Sequence, residues 1–164
     1  MNNGLPANAV RSIVQDKRGF MWFGTDNGLC SYDGRQVQRF MNPDQKFDQF
    51  VSDLLVTDDG LMVGMSHGAY LFSFRTQRFS KIMGGHISSQ VNNFSLDGDG
   101  NLWISTKGQG VFRYNLRTHS VKQYSMPNWK GEVTMVFVDA NNQVFALSNK
   151  AGAVPSRLLS LIHI

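Results

Sequence analysis

The stretch Gly19-Phe20-Met21-Trp22-Phe23-Gly24-Thr25-Asp26-Asn27-Gly28-Leu29 sets an apolar, aromatic run between two glycine-bearing turns, the pattern of a buried strand with a chain reversal at each end. Its order of turn, apolar strand, Thr and glycine turn returns in Gly100-Asn101-Leu102-Trp103-Ile104-Ser105-Thr106-Lys107-Gly108-Gln109-Gly110-Val111, and more loosely from Gly60 to Ala69. Aligned on the central apolar position, Trp22, Val63, Trp103 and Phe145 fall in one column with a period of about 40 residues. No window sustains apolar residues at the spacing of a helix face, so helical repeats of similar period are excluded. A period of that length built only of short strands predicts an all-β chain of four-stranded β-propeller blades.

The first repeat divides into an inner strand (10–15), a second strand (20–25), a third (29–32) and an outer one (36–40). The second repeat follows at 52–56, 61–65, 69–74 and 78–82, the third at 91–96, 102–106, 111–115 and 120–124, and the fourth begins at 133–138 and 144–147. This places blades at approximately 5–45, 46–86, 87–128 and 129–154, an incomplete propeller over 1–154, with 155–164 as a tail outside the pattern. The turns after the inner strands, opening on Asp16, Thr57, Asp97 and Asp139, end in Gly or Asn, residues that tolerate the positive φ of a tight hairpin. The second strand is the most apolar because both of its faces are covered by neighbouring blades. The outer strand carries charges such as Arg39 and Lys122, which discourage edge pairing. The connections at 41–50, 83–90 and 125–132 read as solvated loops framing one rim.

Both ends read as cut. Three and a half blades do not close a ring that takes four to eight, and Met1 reads as an internal methionine. The last six residues, Leu159-Ser160-Leu161-Ile162-His163-Ile164, match the translation of a transposase adapter, so read-through of a truncated reading frame is expected there.

The 16 basic and 12 acidic residues give a net charge of +4, with the basic residues scattered singly. A nucleic-acid groove needs a denser basic cluster interleaved with stacking aromatics, so no nucleic-acid partner is expected. No apolar run reaches the length of a membrane span and the N-terminus has no signal-peptide pattern. Cys30, the one cysteine, reads as a small buried hydrophobe.

The search for chemistry is mostly negative. Asp97-Gly98-Asp99-Gly100-Asn101 resembles a calcium loop, but the sixth and twelfth positions hold Leu102 and Gly108 instead of Gly and Glu, and its column mates Asp16 and Asp58 mark a hairpin turn. The histidines share no metal-ligand spacing, no nucleophile–base arrangement has motif support, and no phosphate loop is present. No catalytic residue, metal site or cofactor is therefore assigned. Trp129, beside Asn128 and Lys130 in an inter-blade loop, is a candidate stacking platform for a sugar ring.

Gly4-Leu5-Pro6-x-Asn8-x-Val10 followed by Gln15-Asp16-x-x-Gly19-Phe20-x-Trp22-Phe23-Gly24-Thr25-x-x-Gly28-Leu29-x-x-Tyr32-Asp33-Gly34 resembles the two-component regulator propeller repeat. The third repeat matches it well, while the second, with Val63 and Met65, and the fourth, with Phe145 and Leu147, match weakly. The resemblance implies the opening of a seven-bladed propeller in the periplasmic sensor region of a hybrid two-component histidine kinase of the Bacteroidetes. It also implies oligosaccharide fragments as signals, a homodimer in the full-length protein, and the remainder of the same sensor polypeptide as partner. None of the kinase, receiver or DNA-binding motifs is present in this chain.

The reading that follows is a non-catalytic ligand-binding propeller fragment. Its candidate ligand residues lie in the turns after the second strands and in the inter-blade loops, which propeller topology gathers at one rim: Asp26, Asn27, His67, Lys107, Gln109 and Trp129, flanked by Asn8 and Gln90. Two alternatives stay open. One is a propeller enzyme of the lyase or lactonase type, using the inner-strand residues Arg11, Ser12, Asp53, Asn92, Asn93 and Thr134 along a central channel; the other is a stand-alone interaction scaffold.

Overall fold

A computed structural model describes residues 7, 9–124, 132–149 and 158–160 of the chain. It divides into two compact units, residues 1–82 and 83–164. In the first unit, β1 (Val10–Gln15), β2 (Met21–Thr25), β3 (Gly28–Tyr32) and β4 (Val37–Phe40) form one antiparallel meander, and β5 (Val51–Val56), β6 (Gly60–Met65), β7 (Gly68–Ser73) and β8 (Arg78–Lys81) form the next. In the second unit, β9 (Val91–Leu96), β10 (Asn101–Thr106), β11 (Gly110–Asn115) and β12 (Val121–Tyr124) repeat that order. A further sheet holds β13 (Glu132–Val138), β14 (Val144–Asn149) and β15 (Leu158–Ser160), the last paired along β14.

The burial gradient follows from the position of each strand. The second strand of the second sheet, β6, is buried at all six positions, whereas the outer strands β8 and β12 bury none. The turn residues adopt the conformation that their types permit: Gly19, Gly100 and Asn142 have φ of 89°, 77° and 63°.

Strand register corrects the repeat alignment. Gly24 and Gly64 occupy one column, as do Thr25 and Met65, so the counterpart of Trp22 is Met62 and not Val63. The cause is a turn one residue shorter: Asp16 N bonds Phe20 O, whereas Thr57 N bonds Gly60 O. In the last sheet the same register puts Ser148, not Leu147, in the column of Thr25. Each of these four inner strands has a bulge, at Arg11, Ser52, Asn92 and Thr134, and in the first three the next residue is polar, Ser12, Asp53 and Asn93.

Within each unit the sheets pack face to face through one apolar cluster. In the first unit Trp22, Leu29 and Phe40 meet Val51, Leu54, Leu61 and Phe72, with the Trp22 ring 5.4 Å from both Phe72 and Phe74. In the second, Trp103 and Val111 meet Val133, Val136, Val144 and Ala146. Gly24 lets the first sheet approach closely, since a Cβ there would lie 2.7 Å from Val51 Cγ1.

Candidate ligand-binding rim

Two side-chain devices shape each well-formed blade. At one end of β2 the carboxylate of Asp16 caps its own turn, with Oδ1 accepting from the amides of Arg18 and Phe20 at 2.9 and 3.1 Å. Its Oδ2 accepts from Trp22 Nε1 at 3.0 Å and from the Arg18 guanidinium at 2.7 Å. In the third repeat Asp97 likewise takes the amides of Asp99 and Asn101 at 3.0 and 2.8 Å, together with Trp103 Nε1 at 2.8 Å. Burial alone would raise both carboxyl pKa values, but these donors outweigh it and hold both below the usual carboxylate range. The oxygens that looked like calcium ligands at Asp97 are thus bonded to its own turn and strand.

At the opposite end of β2, Thr25 Oγ1 donates to Gly28 O at 2.8 Å and accepts from Asn27 N at 3.1 Å, while Thr106 Oγ1 donates to Gly110 O at 2.7 Å. The Asp–Trp pair and the Thr–Gly pair together fix the second strand at both ends, so the turns that follow it are presented on a rigid base.

In the first unit the candidate residues Asp26 and Asn27 form the β2–β3 turn. Arg11 donates to both oxygens of Asp26, at 2.7 and 3.1 Å, and Arg39 Nη2 reaches Asn27 O at 2.6 Å and Asn27 Oδ1 at 2.9 Å. The Arg11 guanidinium also lies 5.7 Å from the centre of the Phe50 ring. This turn is held from both sides, while His67 stands exposed in the corresponding turn between β6 and β7.

The loop before β5 differs from the solvated connection expected. Asn42, Gln45 and Gln49 are buried, with Asn42 N bonded to Gln49 Oε1 at 2.7 Å, Gln49 Nε2 to Asn42 O at 2.9 Å and to Gln45 O, and Gln45 Nε2 to Tyr70 Oη at 3.2 Å. Amide side chains substitute for the missing ladder, which leaves Phe47 fully exposed at the loop tip.

In the second unit Lys107 and Gln109 lie in the β10–β11 turn. Lys107 is exposed, and Gln109 clasps the preceding loop: its Oε1 accepts from the amides of Ser88 and Ser89, both at 2.9 Å, and its Nε2 donates to His86 O at 3.1 Å. The backbone of Gln90 joins the same turn through Lys107 N. Trp129 and Asn8 lie outside the described residues.

Of the inner-strand residues weighed for channel chemistry, Ser12, Asp53, Asn92 and Asn93 bond between sheets. Ser12 Oγ donates to Asp53 Oδ1 at 2.9 Å and accepts from Leu54 N at 3.2 Å. Asn93 Oδ1 accepts from Val136 N and its Nδ2 donates to Val136 O, both at 2.8 Å, while Asn92 Nδ2 donates to Val133 O at 2.7 Å. Thr134 Oγ1 bonds within its own sheet, to Leu147 O at 3.2 Å. Cys30 is fully buried, and burial pushes its thiol up to about 11 despite the nearby Arg39.

Residues 4–27 and 85–108 match the family model described as the two component regulator propeller, and these segments contain both Asp–Trp pairs, Asp16–Trp22 and Asp97–Trp103. Both segments are similar to the two-component regulator propeller repeat. Among curated proteins the chain is similar to histidine kinase P4 of Formosa agariphila, 29% identical over 161 residues that cover 86% of this chain and 12% of the relative. Among solved structures the chain aligns with the extracellular domain of a putative hybrid two component system from B. thetaiotaomicron, with a TM-score of 0.75 at 23% identity over 90% of this chain and 20% of that one. A gluconolactonase from Xanthomonas campestris aligns with a TM-score of 0.66 at 14% identity, over 85% of this chain and 56% of that one. These structural likenesses establish a β-propeller fold. The chain spans about an eighth of the kinase and a fifth of the extracellular domain.

The two repeats outside the matched segments have lost the indole, with Met62 and Phe145 in its column, yet they keep the sheet. Sequence reasoning found the turn residues but missed Arg11 and Arg39 as their anchors. Counting residues across the β3–β4 hairpin would have placed Arg39 beside the turn.

Proposed function

We propose that this chain is part of a non-catalytic, extracytoplasmic sensor propeller, exposed to the periplasm, that binds glycan fragments and passes the binding on to a kinase elsewhere in the same polypeptide. The observation that carries this reading is the use of the inner-strand polar groups. Ser12, Asp53, Asn92 and Asn93, the side chains that a propeller enzyme would direct into its channel, hold neighbouring strands together. The similarity to a histidine kinase and to an extracellular sensor domain supports the same reading, whereas the lactonase likeness is one of fold. Ligand would meet the rim turns, at Asp26, Asn27, His67, Lys107 and Gln109, together with Trp129. Binding there would shift the relative orientation of two subunits in a homodimer, a change of equilibrium instead of a reaction.

The test is calorimetric titration of the complete sensor region of the parent reading frame with a panel of oligosaccharides. Saturable heat with one member supports the reading, and no heat with any of them rejects glycan sensing. A reading frame that ends after the last blade, with no kinase, would favour an interaction scaffold.

A further inference from the structure

Two basic side chains of the first sheet, from its inner and outer strands, converge on one turn. The bulge column holds Arg11, Ser52, Asn92 and Thr134, and Arg11 is its only charged member. In the outer-strand column Arg39 stands opposite Cys30 where Lys81 stands opposite Tyr70 and Gln123 opposite Phe112. The structural work of that column is done by a neutral amide in the third repeat: Gln123 Nε2 donates to Gln109 O at 2.9 Å, as Arg39 Nη2 does to Asn27 O at 2.6 Å. The positive charge of Arg39 and the N–H groups at its Nε and Nη1 therefore exceed what holding the turn requires. Arg11 likewise spends Nε and Nη2 on Asp26 and keeps Nη1. Exposed ion pairs of this kind add little stability.

Resting on the glycan-sensing reading, we infer that Arg11 and Arg39, on either side of the Asp26–Asn27 turn, form a subsite for an oxyanion carried on a sugar ring, a uronate carboxylate or a sulfate ester. Two guanidiniums against one carboxylate leave this four-residue group with a net positive charge. The N–H groups left at Nε and Nη1 of Arg39 and at Nη1 of Arg11 can each donate a charge-assisted hydrogen bond to an oxygen of a carboxylate or sulfate. The turn between them is already fixed by Thr25, so little order has to be gained on binding.

The experiment uses the full chain within its parent reading frame and calorimetric titration with uronate-bearing, sulfate-bearing and neutral oligosaccharides of equal length. It is repeated on Arg39→Gln and Arg11→Ser, residues that the sister sheets place in the same columns. The expected result is binding confined to acidic members, weakened roughly tenfold or more by each substitution, with thermal unfolding unchanged; the uronate and sulfate arms identify the group. Binding of a neutral oligosaccharide that both variants retain would overturn this inference and leave glycan sensing standing. Acidic binding insensitive to both substitutions would also overturn it, and no binding by any member would overturn both readings.

Discussion

The indole nitrogen of Trp22 donates to Asp16 Oδ2 at 3.0 Å, across six residues of chain, so a carboxylate that caps a turn also fixes the aromatic at the centre of the next strand. Trp103 and Asp97 repeat the bond at 2.8 Å. In the last sheet Asp139 caps its turn, through the amides of Asn141 and Gln143, while the aromatic is Phe145, which has no N–H to offer.

That contrast gives a graded prediction. Asp97→Ala orphans a buried indole N–H as well as turn amides and should cost about 2–3 kcal/mol, whereas Asp139→Ala loses only the turn bonds and should cost about 1 kcal/mol. Urea unfolding with an unchanged slope measures both. Equal losses would show that the indole bond contributes nothing.

Acid should act through the same carboxylates. Burial would raise Asp16 and Asp97, but their donors win and both are depressed, so the stability they confer is complete above the ordinary Asp value of about 4 and is lost as pH falls through the folded-state value. The melting temperature is expected to be level from neutral pH to about 5 and to decline below about 4. Asp26, Asp33 and Asp58 are depressed too, but their exposure to solvent screens their effect. Asp16→Asn combined with Asp97→Asn should therefore flatten most of the acid slope at the expense of stability at neutral pH.

Gly24 faces Val51 at a distance no side chain can share, with a built Cβ 2.7 Å from Val51 Cγ1 and 3.4 Å from Leu54 Cγ. Gly24→Ala should destabilise by about 1–3 kcal/mol through overpacking. Val51→Ala in the same molecule should recover part of that loss, read as a favourable coupling in a double-mutant cycle. Additive losses would mean that the sheets separate freely.

The Gln109 clasp predicts a local effect. Gln109→Ala leaves the amides of Ser88 and Ser89 without their acceptor, so their hydrogen exchange should quicken by roughly tenfold or more while amides in β6 keep their protection. Unchanged exchange at Ser88 and Ser89 would remove the clasp from consideration.

The blades were legible in the sequence because their determinants are local and repeated. Turn glycines, the apolar second strand and the polar outer strand each follow from a few consecutive residues, and β1 to β14 fall within one or two residues of their expected bounds, whereas β15 lies in the stretch read as a tail. The alignment of the second repeat slipped because a turn shortened by one residue moves Met62 into the tryptophan column, and a shift of one is invisible when both Met62 and Val63 are apolar. The rim was legible only in part. Asp26 and Asn27 are recognisable as turn residues, but Arg11 and Arg39 reach them from 15 and 12 residues away, through pairings that composition does not report. The buried amides of Asn42, Gln45 and Gln49 run against the expectation for a polar loop, because the Gln49 amide bonds the backbone of Asn42 and Gln45, and Gln45 Nε2 bonds Tyr70, partners that the loop's composition does not report.

Beside the side-chain bond of Ser12 to Asp53, Ser12 and Asn93 each accept from a main-chain amide of the adjoining sheet, those of Leu54 and Val136. An amide is the same whatever side chain it bears, so these bonds recognise the neighbouring blade's backbone whatever its sequence. A duplicated blade arrives with a working joint already in place, and repeats of this kind can multiply and then diverge at their rims without a compensating change at each seam.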